Sequence, residues 1–231
     1  MKAGIILYAF FSISLVHILS EFFGWSDLVF WTKPLLMPML MLALWMDVTK
    51  AEINVSIQFA WVALLFSTAG DLFLLAEKND NQAIYFYLGL GSFLLAQISY
   101  CYSFFRLGSL ALPPAWKIIY PLYYAGFILL LLPQLAAVLL IAVIIYGLAL
   151  TTMAWNSWRM RAGQGWLSYT GIAGAILFLI SDSLLAINRF KTPVPNAGFW
   201  IMCTYITAQY LIIQGIIIKS RSNSMLRPVT G

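Results

Sequence analysis

The sequence predicts an all-α polytopic membrane protein, a bundle of about eight transmembrane helices. Of its 231 residues, 62% are hydrophobic and only 9% are charged, and the mean hydropathy is +0.89. A soluble domain carries about 25% charged residues, so this chain has too little polar surface to cover itself in water. The length suits one helical bundle rather than several domains.

Eight apolar stretches approach the roughly 20 residues that a helix needs to cross the hydrocarbon core. They predict one transmembrane bundle over residues 1–218, followed by a short polar tail at 219–231. The first stretch has no small-residue cleavage site, so we interpret it as an uncleaved span. Only Pro133 separates the fifth stretch from the sixth, which predicts a tight hairpin unless the division there is misplaced. The predicted spans are 3–20, 30–46, 57–76, 84–105, 116–132, 134–155, 166–187 and 198–218.

The distribution of lysine and arginine predicts the orientation, because both collect on the cytoplasmic side of membrane proteins. Eight spans put both termini on one side, which then holds nine of the thirteen basic residues, against four on the other side. We therefore expect both termini in the cytoplasm, and the compact chain with short loops suits a bacterial inner membrane. The nine are Lys2, Lys50, Arg106, Lys117, Arg159, Arg161, Lys219, Arg221 and Arg227, and the four are Lys33, Lys78, Arg189 and Lys191.

Two similar segments each place one aspartate inside an apolar run. Residues 67–77 read S-T-A-G-D-L-F-L-L-A-E, and residues 180–190 read I-S-D-S-L-L-A-I-N-R-F. Their aspartates are Asp71 and Asp182, and each is followed seven residues later by a cation. A carboxylate inside hydrocarbon is costly, and such groups usually face a cavity or a partner. Helix packing alone can use Ser, Thr or Asn, so we favour a functional pair over a structural one.

The spacing of these motifs suggests an internal duplication. Asp71 and Asp182 are 111 residues apart, the cations that follow them share this offset, and Gln97 and Gln209 are 112 residues apart. The pattern predicts a 4+4 repeat of parallel topology, with an aspartate on the third helix of each half. Chance matching between apolar helices is the alternative. The interface between such repeats often holds the functional site of a membrane protein.

Depth along the spans predicts one polar layer on the non-cytoplasmic side. Asp71 and Asp182 each lie about five residues before the outer end of a span, which is about 7 Å below the edge. Lys33 lies in the first turn of the second span, and His17 lies in the last turn of the first. Tyr205 reaches a similar depth in the eighth span, where its hydroxyl can serve a site or its ring can simply pack.

Further polar side chains are candidates for binding a ligand in this layer. Lys33, in T-K-P-L-L-M-P, is a counter-ion for the aspartates, a phosphate contact, or a lysine that snorkels to the head groups. Gln97 and Gln209 are mid-membrane amides that either line the site or link helices. Asn188 and Arg189 lie at the outer mouth, where Arg189 could hold a phosphate.

Signals for several other chemistries are absent from the sequence. It contains no G-x-S-x-G elbow, phosphate-binding loop or H-E-x-x-H motif. His17 is the only histidine, and Cys101 and Cys203 lack metal-type spacing, so we expect free thiols and no zinc site. Basic residues are spread over many loops, which favours contact with a membrane surface over nucleic-acid binding.

The chain resembles the YhhN-like family along essentially its whole length. The resemblance is carried by T-K-P-L-L-M-P, S-T-A-G-D-L-F-L-L, F-L-L-A-Q-I-S-Y, G-A-I-L-F-L-I-S-D-S-L-L-A-I-N-R-F and A-Q-Y-L-I in spans 2, 3, 4, 7 and 8. That family includes lysoplasmalogenases, which cleave the vinyl ether bond of lysoplasmalogens to a fatty aldehyde and glycerophosphoethanolamine or glycerophosphocholine. The resemblance implies that Asp71 and Asp182 are catalytic and that Lys33 lies in a matching motif. It also leads us to expect histidine where this chain has Gln97.

The implied reaction needs an acid and an anion close together. Proton transfer to the β-carbon of the alkene gives an oxocarbenium ion, to which water adds. Two carboxyl groups can serve both needs, as in glycosidases, with no metal or organic cofactor, and either aspartate could be the acid. The expected ligand is a lysophospholipid that reaches the site from the bilayer. The alternatives are a small proton-coupled transporter, a hydrolase of another lysolipid, and a lipid-binding protein without catalysis.

Overall fold

The computed structural model describes residues 2–49, 52–80, 83–108, 115–161 and 166–225. Within these ranges the chain forms eight α-helices joined by turns and short 3₁₀ segments, with no β-strand, which confirms the predicted all-α class. Seven of these helices are long and apolar enough to cross a membrane. The helices are α1 (Lys2–Phe23), α2 (Ser26–Asp47), α3 (Val55–Asp80), α4 (Ala83–Leu107), α5 (Ile119–Leu131), α6 (Ala137–Ser157), α7 (Thr170–Phe190) and α8 (Ala197–Met225).

The helix at the position of the fifth predicted span is short. α5 has 13 residues, so it rises about 20 Å, which is less than a hydrocarbon core about 30 Å thick. Pro133 has no backbone N–H to donate to the preceding turn, and the helix gives way there to the 3₁₀ turn Leu132–Gln134. α5 packs against α6, so the predicted hairpin is present. The eight expected spans thus correspond to seven long helices and one short apolar helix.

The last helix continues beyond the end predicted at residue 218. α8 has 29 residues and is about 43 Å long, which exceeds the thickness of the hydrocarbon core. Its final turns are anchored, because Arg221 donates through Nε to Glu52 at 2.7 Å and through Nη2 to the carbonyl of Asp47 at 2.9 Å. Residues 219–225 of the predicted polar tail are therefore helical, and residues 226–231 lie outside the described ranges.

The C-terminal ends of α2 and α4 and the segment directly after α6 lie at the same end of the bundle as the last turns of α8. Lys219, for example, donates through Nζ to the carbonyl of Arg161 after α6, at 3.0 Å. We call this end the inner end and the opposite one the outer end. Of the basic residues expected at the inner end, Lys50 and Arg227 lie outside the described residues. The orientation of the bundle in a membrane stays a prediction.

α8 is the central helix of the bundle, packing against α7 along its length and also against α1, α3 and α4. Glycines allow the close approach of α7 and α8. A Cβ at Gly215 would lie 2.4 Å from the Cα of Gly171, and a Cβ at Gly174 would lie 2.6 Å from the backbone nitrogen of Ile212. Small residues of this kind let membrane helices come together. The paired helices α3–α4 and α7–α8 thereby bring their polar side chains to the middle of the bundle.

Candidate active site

A cavity of about 370 Å³ lies in the outer half of the bundle. Its wall is built by side chains from α1, α2, α3, α4, α7 and α8, and it includes both candidate aspartates. Six of the eight site residues that the sequence predicted line this one space. They are Asp71, Asp182, Lys33, Asn188, Arg189 and Tyr205.

Asp71 lies on α3 and is almost enclosed, with 3% of its surface exposed. Its Oδ2 accepts a hydrogen bond of 2.9 Å from the hydroxyl of Tyr205 on α8. The Tyr205 ring is held edge-on by Phe93 and Phe178, at centroid distances of 5.9 and 5.7 Å. Gly70 leaves room for this arrangement, because a Cβ there would lie 2.6 Å from Cε2 of Phe93. The Asp71 carboxyl is thus positioned by one donor that is itself firmly packed.

Asp182 lies on α7, is half-buried, and is held by two donors. Its Oδ2 accepts hydrogen bonds from the hydroxyl of Tyr146 at 2.5 Å and from Nε2 of Gln97 at 3.0 Å. Gln97 is fully buried, and its Oε1 has no hydrogen-bond partner among the described residues. With both donors on Oδ2, the second carboxyl oxygen of Asp182 is available to a ligand.

These hydrogen bonds connect each aspartate with the other half of the chain. Asp71 of the first half bonds Tyr205 on α8, and Asp182 of the second half bonds Gln97 on α4. The third helix of each half therefore contacts the fourth helix of the other half through a carboxyl group. Two parallel repeats related by a pseudo-two-fold axis would pair in this way. The duplication itself stays a prediction.

Gln209 lies behind the cavity wall rather than in it. It is fully buried, its Nε2 donates to Oγ of Ser67 at 2.9 Å, and its Oε1 accepts from the hydroxyl of Tyr100 at 2.5 Å. These contacts join α8 to α3 and α4 one turn below Asp71. They are the contacts of a residue that links helices, which was the structural alternative for this glutamine.

Charged residues surround the outer part of the cavity. Nη2 of Arg189 lies 2.7 Å from Oε1 of Glu77, and Nζ of Lys78 lies 4.0 Å from Oε2 of Glu21. Lys33 also lines the cavity, and in the described part of the chain it forms no ion pair. Of the cations around this cavity, Lys33 is therefore the one with its charge most available to an anionic ligand.

Two other predicted polar residues have mainly structural contacts. Oδ1 of Asn188 accepts a 2.9 Å hydrogen bond from the backbone N–H of Val194, which closes the turn after α7. His17 is fully buried, and its Nδ1 lies 2.7 Å from Oγ1 of Thr32. Asn188 borders the cavity and His17 does not. The histidine therefore joins α1 to α2 outside the site.

Three residues at the site were not among those predicted. Tyr146 bonds Asp182, and Glu21 and Glu77 line the cavity and neutralise two of its cations. The available signal for Tyr146 was its position as the polar side chain of V-L-L-I-A-V-I-I-Y-G-L-A-L. The available signal for Glu77 was its place at the end of the first aspartate segment, since its ion-pair partner Arg189 is the cation of the second segment.

The sulfur groups and possible metal ligands lie apart from one another. Cys101 and Cys203 are free thiols, as predicted, and Sγ of Cys101 accepts a hydrogen bond from Nδ2 of Asn156 at 3.4 Å. No three His, Cys, Asp or Glu side chains of the described residues are grouped as a metal site would require. The cavity instead offers carboxyl, hydroxyl, amide, ammonium and guanidinium groups.

These features define a polytopic helical membrane protein with two carboxyl groups in a cavity near one end of the bundle. The chain belongs to the YhhN family, whose model matches residues 28–216. It is 35% identical over 150 residues to lysoplasmalogenase TMEM86B of Sus scrofa and 32% identical over 150 residues to lysoplasmalogenase TMEM86B of Homo sapiens.

A third relative, lysoplasmalogenase TMEM86A of Homo sapiens, is 34% identical over 159 residues. The three alignments cover 65%, 65% and 66% of this chain, and 59%, 59% and 62% of the respective relatives. The chain thus spans about three fifths of the length of the curated relatives it matches. No solved structure gives a significant match.

Proposed function

We propose that this protein is a membrane hydrolase that cleaves the vinyl ether bond of a lysoplasmalogen. The products would be a fatty aldehyde and glycerophosphoethanolamine or glycerophosphocholine. One observation carries the proposal: Asp71 and Asp182, from different helices, line the same cavity. The names of the relatives, each a lysoplasmalogenase at 32–35% identity, support the choice of reaction.

Two carboxyl groups are sufficient for the steps of this hydrolysis. One carboxyl transfers its proton to the β-carbon of the alkene, whose π electrons form the new C–H bond. The α-carbon becomes an oxocarbenium ion, which the other group stabilises as a carboxylate. Water adds to the α-carbon and gives its proton to that carboxylate. The hemiacetal then breaks its bond to the glycerol oxygen, which receives the hydroxyl proton, so that one water has been added in total.

The surroundings of the carboxyl groups suit this reaction. Asp71 is 3% exposed, and a carboxylate largely shielded from water attracts the oxocarbenium ion more strongly than one in bulk solvent does. Tyr205, Tyr146 and Gln97 hold the two carboxyls in place before the substrate arrives. Groups that are positioned in advance do not have to be ordered during the reaction.

The outer end of the cavity suits the head group of a phospholipid. Lys33 has no ion pair in the described part of the chain, whereas Arg189 is engaged by Glu77 at 2.7 Å. An unpaired ammonium group can bind phosphate as a point charge. Of the three interpretations of Lys33, we therefore prefer the phosphate contact. The glycerol level of a lipid, where the vinyl ether bond lies, is also close to the depth of the aspartates.

The packing below the cavity favours an enzyme over a transporter. A transporter needs polar access to its site from both sides of the membrane. Below the level of Gln209, the centre of the bundle is filled by large apolar side chains with at most 1% of their surface exposed, among them Leu64, Ile212 and Ile216. A substrate in the cavity would therefore leave by the side from which it came.

We also propose that both termini are cytoplasmic, so that the cavity faces the opposite side of a bacterial inner membrane. The sequence assigns nine of the thirteen lysine and arginine residues to the side of the termini, and this excess supports the orientation. An impermeant thiol reagent applied to intact cells should label Trp25→Cys in the α1–α2 turn and not Thr49→Cys, with the wild-type chain as background. The reverse result would invert the topology.

Purified protein in detergent tests the reaction directly. It should release aldehyde from a lysoplasmalogen, and it should leave unchanged both the ester lysolipid and the saturated alkyl ether of the same head group and chain length. The saturated ether has no alkene to protonate, so it separates this mechanism from other ether cleavage. Fatty acid release from the ester would make the protein a hydrolase of another lysolipid. If the protein binds these three lipids and cleaves none of them, it is a lipid-binding protein without catalysis.

A further inference from the structure

An apolar cleft joins the polar cavity at Asp182. The cleft lies between the α5–α6 hairpin on one side and α4 and α7 on the other. Asp71 is not part of its wall, so the two aspartates differ in what they border. The residues shared by cleft and cavity are Leu74, Phe86, Phe93, Asp182, Leu185 and Arg189.

The surface of the cleft is hydrocarbon, although three tyrosines line it. The hydroxyl of Tyr123 bonds Oγ of Ser183, and that of Tyr146 bonds Asp182. The third, from Tyr124, donates to a backbone carbonyl of α6 at 3.0 Å. Because the protein already satisfies these hydroxyls, most of the wall offers a ligand only aromatic rings and aliphatic chains, and the charged groups are Asp182 and Arg189, where the cleft meets the cavity. The aliphatic lining includes Leu90, Ile128, Val143, Leu150 and Leu179.

We propose that this cleft takes the start of the lipid's hydrocarbon chain while the polar cavity takes the glycerophosphate head group. The inference rests on the proposed function, and it names where the two parts of the substrate lie. An amphipathic ligand fits a polar and an apolar space that meet, and here they meet at Asp182. The vinyl ether bond is the junction of the two parts of the lipid, so it would lie beside this carboxyl.

The small size of the cleft determines how much of the chain it can hold. It encloses about 60 Å³, which is room for a short part of a hydrocarbon chain. α5 packs on α6 and has little backbone contact with α4. The proposed position therefore has the rest of the chain leave the cleft between α4 and α5 and end among the lipid tails.

This placement assigns different tasks to the two aspartates. The β-carbon of a vinyl ether belongs to the chain, and the α-carbon carries the oxygen that leads to glycerol. With the chain in the cleft, the β-carbon lies next to Asp182, which therefore gives it the proton. Oδ2 of Asp182 accepts two hydrogen bonds, so Oδ1 is the oxygen that carries the proton. Asp71 then takes the proton of the attacking water, and solvent in the cavity returns it to Asp182 between turnovers.

A photoreactive lipid tests the position of the chain in the wild-type protein. The probe is a lysolipid with a saturated alkyl ether chain that carries a diazirine close to its head-group end. After illumination, peptide mapping should find the label on cleft residues such as Leu90, Phe127 and Tyr146. Label confined to α1, α2 and the lipid-facing surfaces would overturn the inference. A second probe with the diazirine at the chain end should label those outer surfaces instead.

The probe has no vinyl bond, so its result does not depend on catalysis. Label in the cleft without aldehyde release from a lysoplasmalogen would refute the proposed function and leave the lipid site standing. Aldehyde release from a lysoplasmalogen, together with label only outside the cleft, would refute the proposed position of the chain and not the proposed reaction.

Two glycines provide a matched pair of variants for the same assay. A Cβ at Gly147, in the cleft wall, would lie 3.1 Å from Cε2 of Tyr124, whereas a Cβ at Gly126 would meet nothing within 4 Å. Gly147→Leu should fill the cleft, abolish labelling there and reduce aldehyde release by about tenfold or more. Gly126→Leu should match the wild type in both measurements. If Gly147→Leu does not fold, Gly147→Ala should give the same changes in smaller degree. Unchanged labelling of the cleft in a folded Gly147 variant would contradict the proposed position of the chain.

Discussion

Asp71 and Asp182 come from matching segments of the sequence, yet their surroundings differ. Asp71 is 3% exposed and accepts one hydrogen bond, from Tyr205. Asp182 is half-buried, accepts two, from Tyr146 and Gln97, and borders both the polar cavity and the apolar cleft. Two similar sequence segments have thus supplied two carboxyl groups whose hydrogen-bond donors differ in number and kind. Unequal environments of this kind are how enzymes give two carboxyls different tasks.

The largest expected effect comes from replacing either carboxyl. Asp71→Asn and Asp182→Asn should each lower the rate of aldehyde release by about a thousandfold, because an amide can neither give nor take the required proton. The double variant should be little worse than the poorer single variant, because the two groups act as a unit. The measurement is aldehyde release by purified protein of unchanged melting temperature.

Asp27 provides the control for these variants, as an exposed carboxyl near the outer end that does not line the cavity. Asp27→Asn should keep full activity. Full activity in either Asp71→Asn or Asp182→Asn would remove the two-carboxyl mechanism.

The tyrosines test whether the unequal hydrogen bonding matters. Tyr205→Phe leaves Asp71 without a hydrogen-bond donor in the described structure, whereas Tyr146→Phe leaves Asp182 with Gln97. A hydrogen bond to a charged group contributes about 1.5–3 kcal/mol, so Tyr205→Phe should slow turnover by about tenfold to a hundredfold. Tyr146→Phe should have the smaller effect. Steady-state kinetics of the two variants decide the order, and a larger loss in Tyr146→Phe would contradict the comparison.

The cations of the cavity allow a similar contrast on a smaller scale. Lys33 has no ion pair in the described part of the chain, and Lys78, with 58% of its side chain exposed, lies 4.0 Å from Glu21. If Lys33 contacts the phosphate, Lys33→Gln should raise KM by about tenfold with little change in kcat, since the contact is the same in ground and transition states. Lys78→Gln should change KM less. Equal effects of the two substitutions would favour the snorkelling interpretation of Lys33.

The smallest expected effect concerns the ion pair of Glu52 and Arg221 at the inner end of the bundle, which should change the stability of the protein and not its activity. Hydrogen bonds from Arg221 and Thr49 lower the pKa of Glu52 from 4.5 to about 2. Because the folded-state pKa is the lower one, the stabilisation is complete above about pH 4.5 and is lost as the pH falls towards 2. Thermal unfolding should show this loss in the wild type and not in Glu52→Gln. The effect should be modest because the pair is partly exposed, and identical pH profiles would argue against this ion pair as an anchor of α8.

Much of the fold could be predicted from composition and hydropathy, and the errors have local causes. Seven long apolar helices lie at the predicted positions, because an uninterrupted apolar run of span length has few other stable arrangements in a membrane. Hydropathy did not predict that α5 would be short, since the residues around Pro133 are as apolar as a span. Hydropathy also gave no sign that the last helix continues past residue 218 to Met225, because the anchoring of Arg221 by Glu52 and Asp47 is a tertiary contact.

The sequence by itself determined that the chain lies in a membrane and that Asp71 and Asp182 are unusual within it. Their cost in hydrocarbon is a property of the residue type and its apolar neighbours. Only the tertiary structure decided that Gln97 bonds Asp182, that Tyr146 joins the site, and that one aspartate borders an apolar cleft. In a membrane helix the faces towards lipid and towards the core are both apolar, so the pattern of residues does not say how the helix is rotated. Contacts such as the close α7–α8 packing determine that rotation, and with it which polar groups meet.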